Sequence, residues 1–317
     1  MTAPAPADRA LVIGEALIDI VDRVDGSDAH VGGSPLNVAV GLSRLGVDVV
    51  FATEFADDDF GRPISAHLAD AKVESVQTTT RHQPTSTARA RIGSDGSASY
   101  LFDLTWSFDR PPHTDGFAVV HLGSVGALRQ PGAQGVIELV EALPRDVLVT
   151  FDPNIRPALL PRREETRALV ERFAARADVV KLSDEDAEWL YPEDPSSAPV
   201  RLLTQGPSIV AVTRGSAGSD IHTTDRFVTV PPYRTIVADT IGAGDAYMSG
   251  IVGAIIRGGL TDKVLARSID GADLTAIGGF AAVAAGITVS RSGAVPPTED
   301  EVAAVAEVPW RNAPRTP

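Results

Sequence analysis

The residues best suited to chemistry stand together at 238–247, Ala-Asp-Thr-Ile-Gly-Ala-Gly-Asp-Ala-Tyr, directly ahead of an apolar, helix-like run at 248–256. Gly242, Ala243 and Gly244 allow the backbone a tight path. A helix starting at the next turn leaves its first N–H groups unpaired and its positive dipole end open. Those donors converge on one point and make an anion hole. Asp245 follows at once, where its carboxylate can reach a hydroxyl docked beside a bound phosphate. The pairing suits phosphoryl transfer, which needs donors for charge on the equatorial oxygens and a carboxylate to accept the hydroxyl proton. Taken alone, the same residues are better read as an aspartate capping a helix after a glycine-rich turn.

A second group, Val31-Gly32-Gly33-Ser34-Pro35-Leu36-Asn37, sets a diglycine before a proline-started helix. The glycines let a ligand approach the backbone, and the Asn37 amide can bond a polyhydroxylated ligand; an ordinary helix entry would look the same. Thr213-Arg214-Gly215-Ser216-Ala217-Gly218 is a strand end running into a glycine-bearing turn, a weak phosphate nest or a plain surface turn. Arg156 follows the turn Asp152-Pro153-Asn154, where a guanidinium can fork onto a carboxylate or phosphate or bond hydroxyls. Lys181 is one of only three lysines, with Lys72 and Lys263. It suits a phosphate contact or a solvent-facing strand end. Six histidines (30, 67, 82, 113, 121, 222) show no metal-ligand spacing, and His121 reads as the end of a buried strand.

Elements that position these residues follow from the apolar pattern. Strand-like segments at 10–13, 47–53, 118–122, 147–151, 179–181 and 209–213 alternate with helix-like stretches at 35–45, 63–71, 132–142, 164–177 and 184–190. Such alternation predicts an α/β fold, a mostly parallel sheet covered by helices on both faces, with ligands at the carboxyl ends of the strands. Two segments break the pattern. Residues 17–24 alternate apolar and acidic types, and 85–102 alternate across Gly93-Ser94-Asp95-Gly96, a hairpin signal. They predict antiparallel strands outside the main sheet, forming a small lid over its ligand end.

Composition bounds the function. The 317 residues are 44% hydrophobic, enough for one large α/β unit with an appendage or about two domains. Asp and Glu number 42 against 28 Lys and Arg, a net charge of −14. That balance argues against nucleic acid, whose recognition needs a basic surface, and against anionic membranes. No cysteine is present, which excludes disulfides, thiolate zinc sites and a cysteine nucleophile. The longest charge-free apolar run, 276–289, has 14 residues against the ~20 that a membrane span needs. It reads as a buried helix running into a buried strand. The amino terminus does not read as a secretory signal, so a cytoplasmic address is expected.

The two glycine-bearing signatures, about 205 residues apart and in this order, give the chain a resemblance to the ribokinase-like (PfkB) carbohydrate kinase family, and within it to the bacterial fructokinases. The resemblance runs from about Ala10 to Pro297. It also rests on Gly14-Glu15-Ala16-Leu17-Ile18-Asp19, Pro84-Thr85-Ser86, His121-Leu122-Gly123-Ser124, Asp152-Pro153-Asn154-Ile155-Arg156-Pro157 and Lys181-Leu182-Ser183-Asp184-Glu185. It implies a ribokinase-like three-layer αβα fold with a small β-sheet lid. Residues 1–9 would be a flexible tail and 10–300 the kinase domain, with lid strands at about 15–33 and 85–105. Residues 301–317 would be a C-terminal segment.

The implied activity is ATP-dependent phosphorylation of a sugar, most closely fructose to fructose 6-phosphate. 2-Keto-3-deoxygluconate kinase and ribokinase are alternatives on the same fold. Asp245 would be the general base, with Gly242, Ala243 and Gly244 as the anion hole. Asp19, Gly32, Gly33, Asn37 and Arg156 would bind the sugar. Thr213, Gly215 and Gly218 would contact the nucleotide, with Lys181 and Ser183 beside them. The family's Asn-x-x-Glu element, which organises magnesium (Mg2+), appears as Ser183-x-x-Asp186. Asp for Glu shortens the reach, so Asp186 is an indirect contact and Glu185 an alternative; both also fit solvated helix-start acids. Asp239 and the backbone near Ser290-Arg291-Ser292-Gly293 match the family's monovalent cation loop, which implies activation by potassium (K+). Exposed lid edges predict a homodimer.

Rival classes fail at their defining residues. After Leu11-Val12-Ile13-Gly14 comes Glu-Ala-Leu-Ile-Asp, not the Gly-x-Gly-x-x-Gly turn of a dinucleotide oxidoreductase. Neither a Walker-type phosphate loop nor a Gly-x-Ser-x-Gly elbow occurs. A non-catalytic sugar sensor on the kinase fold would have lost the base or the anion hole, and both are intact.

Overall fold

A computed structural model describes residues 9–23, 26–92 and 98–306. In chain order its strands are β1 (Arg9–Ile13), β2 (Leu17–Arg23), β3 (Gly26–Gly32), β4 (Asp48–Thr53), β5 (Glu74–Gln77), β6 (Thr87–Ile92) and β7 (Ala98–Asp103). They continue with β8 (Val119–Gly123), β9 (Leu148–Asp152), β10 (Val179–Ser183), β11 (Ile209–Thr213), β12 (Ser219–His222) and β13 (Phe227–Val230). Nine form one sheet in the order β13-β12-β11-β10-β9-β8-β1-β4-β5. Pairing is parallel from β5 through β11, and only β12 and β13 at one edge run antiparallel. Strands β1, β8 and β9 bury nearly every residue, as expected for strands covered on both faces.

Two apolar layers cover the sheet. On one face the helices Ser34–Arg44, Ala243–Arg257 and Gly271–Val289 enclose a core that includes Leu42, Met248, Ile251 and Phe280. On the other, Gly132–Ala142, Arg163–Ala174 and Asp184–Leu190 pack over Phe151, Phe173 and Leu190. This is the three-layer αβα arrangement that the alternation predicts. Strand order reverses between β1 and β8, since the chain moves outward to β4 and β5 on one side and to β9–β11 on the other. Crevices of this kind, at the carboxyl ends of the strands, are where open α/β sheets bind ligands.

The expected strand at the end of the 276–289 run is instead helix. Gly271–Val289 is continuous. Gly250 of the neighbouring helix lies so close that a Cβ there would come within 2.6 Å of Ala281 Cα. Dense helix–helix contact therefore outweighs the β-branched residues Ile287, Thr288 and Val289. The helix is long and apolar enough to cross a bilayer, yet it is packed inside this fold.

The second sheet, β3-β2-β6-β7, is the small lid. Its two hairpins, β2–β3 and β6–β7, are antiparallel as expected, but they join through a parallel pairing of β2 with β6. The Gly93–Gly96 turn lies outside the described residues, as do 1–8 of the expected tail and 307–317 of the C-terminal segment. Lid and body are pinned where they meet. Asp58 accepts hydrogen bonds from Thr85 N and Oγ1 at 3.0 and 2.7 Å, while Ser86 Oγ exchanges bonds with Thr105 N and O, both 3.1 Å.

Candidate active site

Two helix N-termini meet at Asp245. Helix Ala243–Arg257 starts from Gly242, whose left-handed backbone (φ 74°) favours glycine and where a Cβ would press on Ala294. Helix Ser34–Arg44 starts from Gly33 at φ 113°, where any side chain would strike the Glu15 carbonyl. The helices pack closely because Gly41 leaves room for Ser249, and Gly253 for Leu45. Asp245 is clamped as a result. Ser34 Oγ donates to its Oδ1 at 2.6 Å, and Asn37 Nδ2 donates to its Oδ2 at 2.8 Å. Asn37, expected as a sugar contact, thus spends one N–H on the carboxylate and keeps its second N–H and its carbonyl for a ligand. Ser34 carries no role in the sequence reading. Its place one helical turn before Asn37 was the only available signal.

Lys181 lies beneath the glycine turn and is buried, not at a solvent-facing strand end. A Cβ on Gly244 would come within 2.9 Å of its ammonium, so only glycine lets that charge sit directly against the hole. Lys181 Nζ bonds Asp152 Oδ2 at 2.9 Å. Burial works against the ammonium, but Asp152, Asp186 and Asp245 outweigh it and hold its pKa above the usual lysine value. Burial pushes Asp152 up to about 6, opposed by Lys181 and reinforced by Asp186 and Asp245. Asp152 Oδ1 has no hydrogen-bond partner among the described residues. Sequence reasoning named Asp152 only as part of a turn. Its role is visible only once β9 and β10 lie side by side. His121, on β8 as expected, is buried beside Thr150 and held neutral, its pKa pushed down to about 3 by burial and by Lys181.

Asp186 is buried, and both its carboxylate oxygens serve the backbone. Oδ1 accepts from Ile155 N at 2.8 Å and Oδ2 from Ser183 N at 2.9 Å, while Ser183 Oγ accepts from Asp186 N at 3.0 Å. This capping box ties helix Asp184–Leu190 to the turn that carries Arg156. Asp184 and Glu185 are the exposed acids of the same helix start.

Facing this charge cluster is a cavity of about 630 Å3. Lys181, Ser183, Asp186, Ala243 and Gly244 line one end. Thr213, Gly215 and Gly218 line its side, and Tyr233, Ala282, Ala285 and Val289 supply an apolar wall. Gly286 leaves the space in which the Tyr233 ring lies. Polar at one end and apolar at the other, with these dimensions, the cavity suits a nucleotide. Asp239, next to the lining residue Thr240, accepts from Gly293 N at 2.9 Å and Ile241 N at 3.0 Å, which hold its carboxyl below the usual range. The sequence-matched loops at 239 and 293 are therefore in contact. Among the described residues no three carboxylate or imidazole groups converge as a self-contained metal site.

On the other side of Asp245 the lid contributes Asp19 and Gly32. A Cβ at Gly32 would overlap the Asp19 carboxylate, so the glycine lets Asp19 reach across β3. Desolvation raises the Asp19 carboxyl, against the pull of His30 and Arg156. Arg156 also lines the nucleotide cavity, which puts it at the boundary of the two halves. Glu15, in the link between β1 and β2, is buried and accepts from Gly126 N at 2.7 Å and from the Ser124 side chain. Burial pushes its carboxyl up to about 7, and Asp245 adds to the rise. It marks the β1/β8 switch point, and the sequence reading gave it no individual role.

The profile of the pfkB family carbohydrate kinases matches residues 7–301. A fructokinase of Rhizobium leguminosarum bv. trifolii is 31% identical over 273 residues, 82% of this chain and 83% of that protein. A fructokinase from Xylella fastidiosa, solved with bound ATP, superposes with TM-score 0.80 at 27% identity, covering 93% of this chain and 97% of that one. Aminoimidazole riboside kinase from Salmonella enterica, solved with aminoimidazole riboside and an ATP analog, gives TM-score 0.75 at 25% identity over 94% and 99%.

Proposed function

The chain belongs to the pfkB family of carbohydrate kinases, and within it we propose that it is an ATP-dependent fructokinase that uses Asp245 as general base. The observation that carries this reading is the clamped Asp245 carboxylate, set at a glycine-started helix N-terminus between the nucleotide cavity and the lid. ATP occupies the cavity with its base against Tyr233, Ala282, Ala285 and Val289 and its phosphates toward Lys181, Ser183 and the 242–244 turn. Thr213, Gly215 and Gly218 contact it along the side. Fructose lies under the lid, bonded by Asp19, Asn37 and Arg156 and by the backbone at Gly32 and Gly33.

The 6-hydroxyl oxygen attacks the γ-phosphorus in line, its proton passes to Asp245, and the bond to the β-phosphate oxygen breaks to release ADP. Charge on the transferring group is met by the N–H groups at 243–244 and by the Lys181 ammonium. Magnesium would arrive on the nucleotide and offset phosphate charge. Exposed Glu185 would hold its water shell rather than Asp186, whose two carboxylate oxygens already accept backbone N–H groups. Asp239 would serve a potassium site at the 239/293 loops. The exposed edge strand β3 would pair the lid with that of a second copy.

A second reading has one observation in its favour: the exposed Arg156 guanidinium beside Asp19 would suit an acceptor carboxylate, as in 2-keto-3-deoxygluconate. A coupled ADP-release assay with fructose, ribose, 2-keto-3-deoxygluconate and aminoimidazole riboside, with and without potassium, separates the readings. The highest kcat/KM is expected with fructose. Fructose no better than ribose would leave only a sugar kinase.

A further inference from the structure

We propose that Ser34 is a positioning residue for the reaction, holding the Asp245 carboxylate in the orientation from which it takes the acceptor proton. The inference rests on the reading of Asp245 as the base. Its own ground is separate: the Ser34 hydroxyl is committed to Asp245 Oδ1 at 2.6 Å, as the Asn37 amide is to Oδ2 at 2.8 Å. Two donors, one on each oxygen, fix both the rotation of the carboxylate and the side from which a third hydrogen bond can enter. Both come from one turn of one helix, three residues apart and therefore on the same face. That helix is locked to the helix of Asp245 by the close approaches at Gly41 and Gly253.

The clamp therefore lies wholly in the body. Closure of the lid, which carries Asp19 and Gly32, is not needed to form it. The base is oriented before the sugar arrives, and Ser34 has no hydroxyl hydrogen left to offer the sugar. Its loss therefore lowers turnover more than it weakens binding.

The test compares Ser34→Ala, Ser34→Thr and Asp245→Asn in the full-length protein, measuring kcat and KM for fructose and ATP. Ser34→Ala should lower kcat about 10-fold and leave both KM values within about 2-fold. Ser34→Thr, which keeps the hydroxyl, should restore turnover. Circular dichroism and thermal unfolding show that the variants are folded, and alanine is well tolerated in a first helical turn. Unchanged kcat in Ser34→Ala, with Asp245→Asn inactive, would overturn the role of Ser34 alone. A raised fructose KM at constant kcat would reassign Ser34 to sugar binding. Near-normal turnover in Asp245→Asn would instead remove the base reading on which the proposal stands.

Discussion

At the scale of single residues the site is a balance of buried charges. Lys181 and Asp152 form an ion pair almost wholly removed from water, and breaking such a pair by truncating one partner costs about 3–5 kcal/mol. Gly244 lets the Lys181 ammonium come up against the 242–244 turn. Glu15 offers a direct check on the electrostatics. Its folded pKa is about 7 against an ordinary 4.5. Between those values the folded chain holds a proton that the unfolded chain has released, so Glu15 stabilises the fold most below pH 4.5 and loses that contribution as pH rises through 7. Glu15→Gln removes the titration. Denaturant unfolding should show wild type losing stability relative to Glu15→Gln between pH 5 and 8, by ~3 kcal/mol at the upper bound. A pH-independent difference would contradict the raised pKa.

The signatures around Gly32 and Gly242 made most of this site legible in the sequence, because glycine spacing reports backbone geometry directly. What stayed hidden depends on side chains brought together across the fold. Ser34 meets Asp245 from 211 positions away, and Asp152 meets Lys181 across neighbouring strands. Asp186 was legible by position but not by partner, since both oxygens serve backbone N–H groups.

At the scale of elements, the strand–helix alternation sufficed for the sheet, because parallel strands buried on both faces leave uninterrupted apolar runs. It failed at 276–289, where alanine- and glycine-rich helix packing looks like strand sequence. The lid was legible from its hairpin pattern; its parallel β2–β6 junction was not, because that pairing joins segments far apart in the chain. Pro84-Thr85-Ser86, a family mark in the sequence, anchors the lid to the body through Asp58 and closes the base of the β6–β7 hairpin through Thr105. The lid carries Asp19, whereas the proposed base and anion hole belong to the body, so the two should separate kinetically. Asp19→Ala should raise the fructose KM at least 10-fold while the ATP KM stays within about 2-fold. An effect confined to ATP would show that the lid does not face the sugar.

At the scale of the molecule, the proposed function has an acidic chain bind a polyanion. Its −14 charge excludes long basic grooves but not a nucleotide held by backbone N–H groups, a helix terminus and one buried lysine. The sheet reversal between β1 and β8 brings these to one crevice, with Asp245 between the cavity and the lid. Phosphoryl transfer across that carboxylate is the central claim. It is tested most directly by steady-state turnover of Asp245→Asn with saturating ATP and fructose. The account predicts a kcat lowered by ~10²–10⁴ with both KM values within a few-fold of wild type. Turnover close to wild type would contradict it.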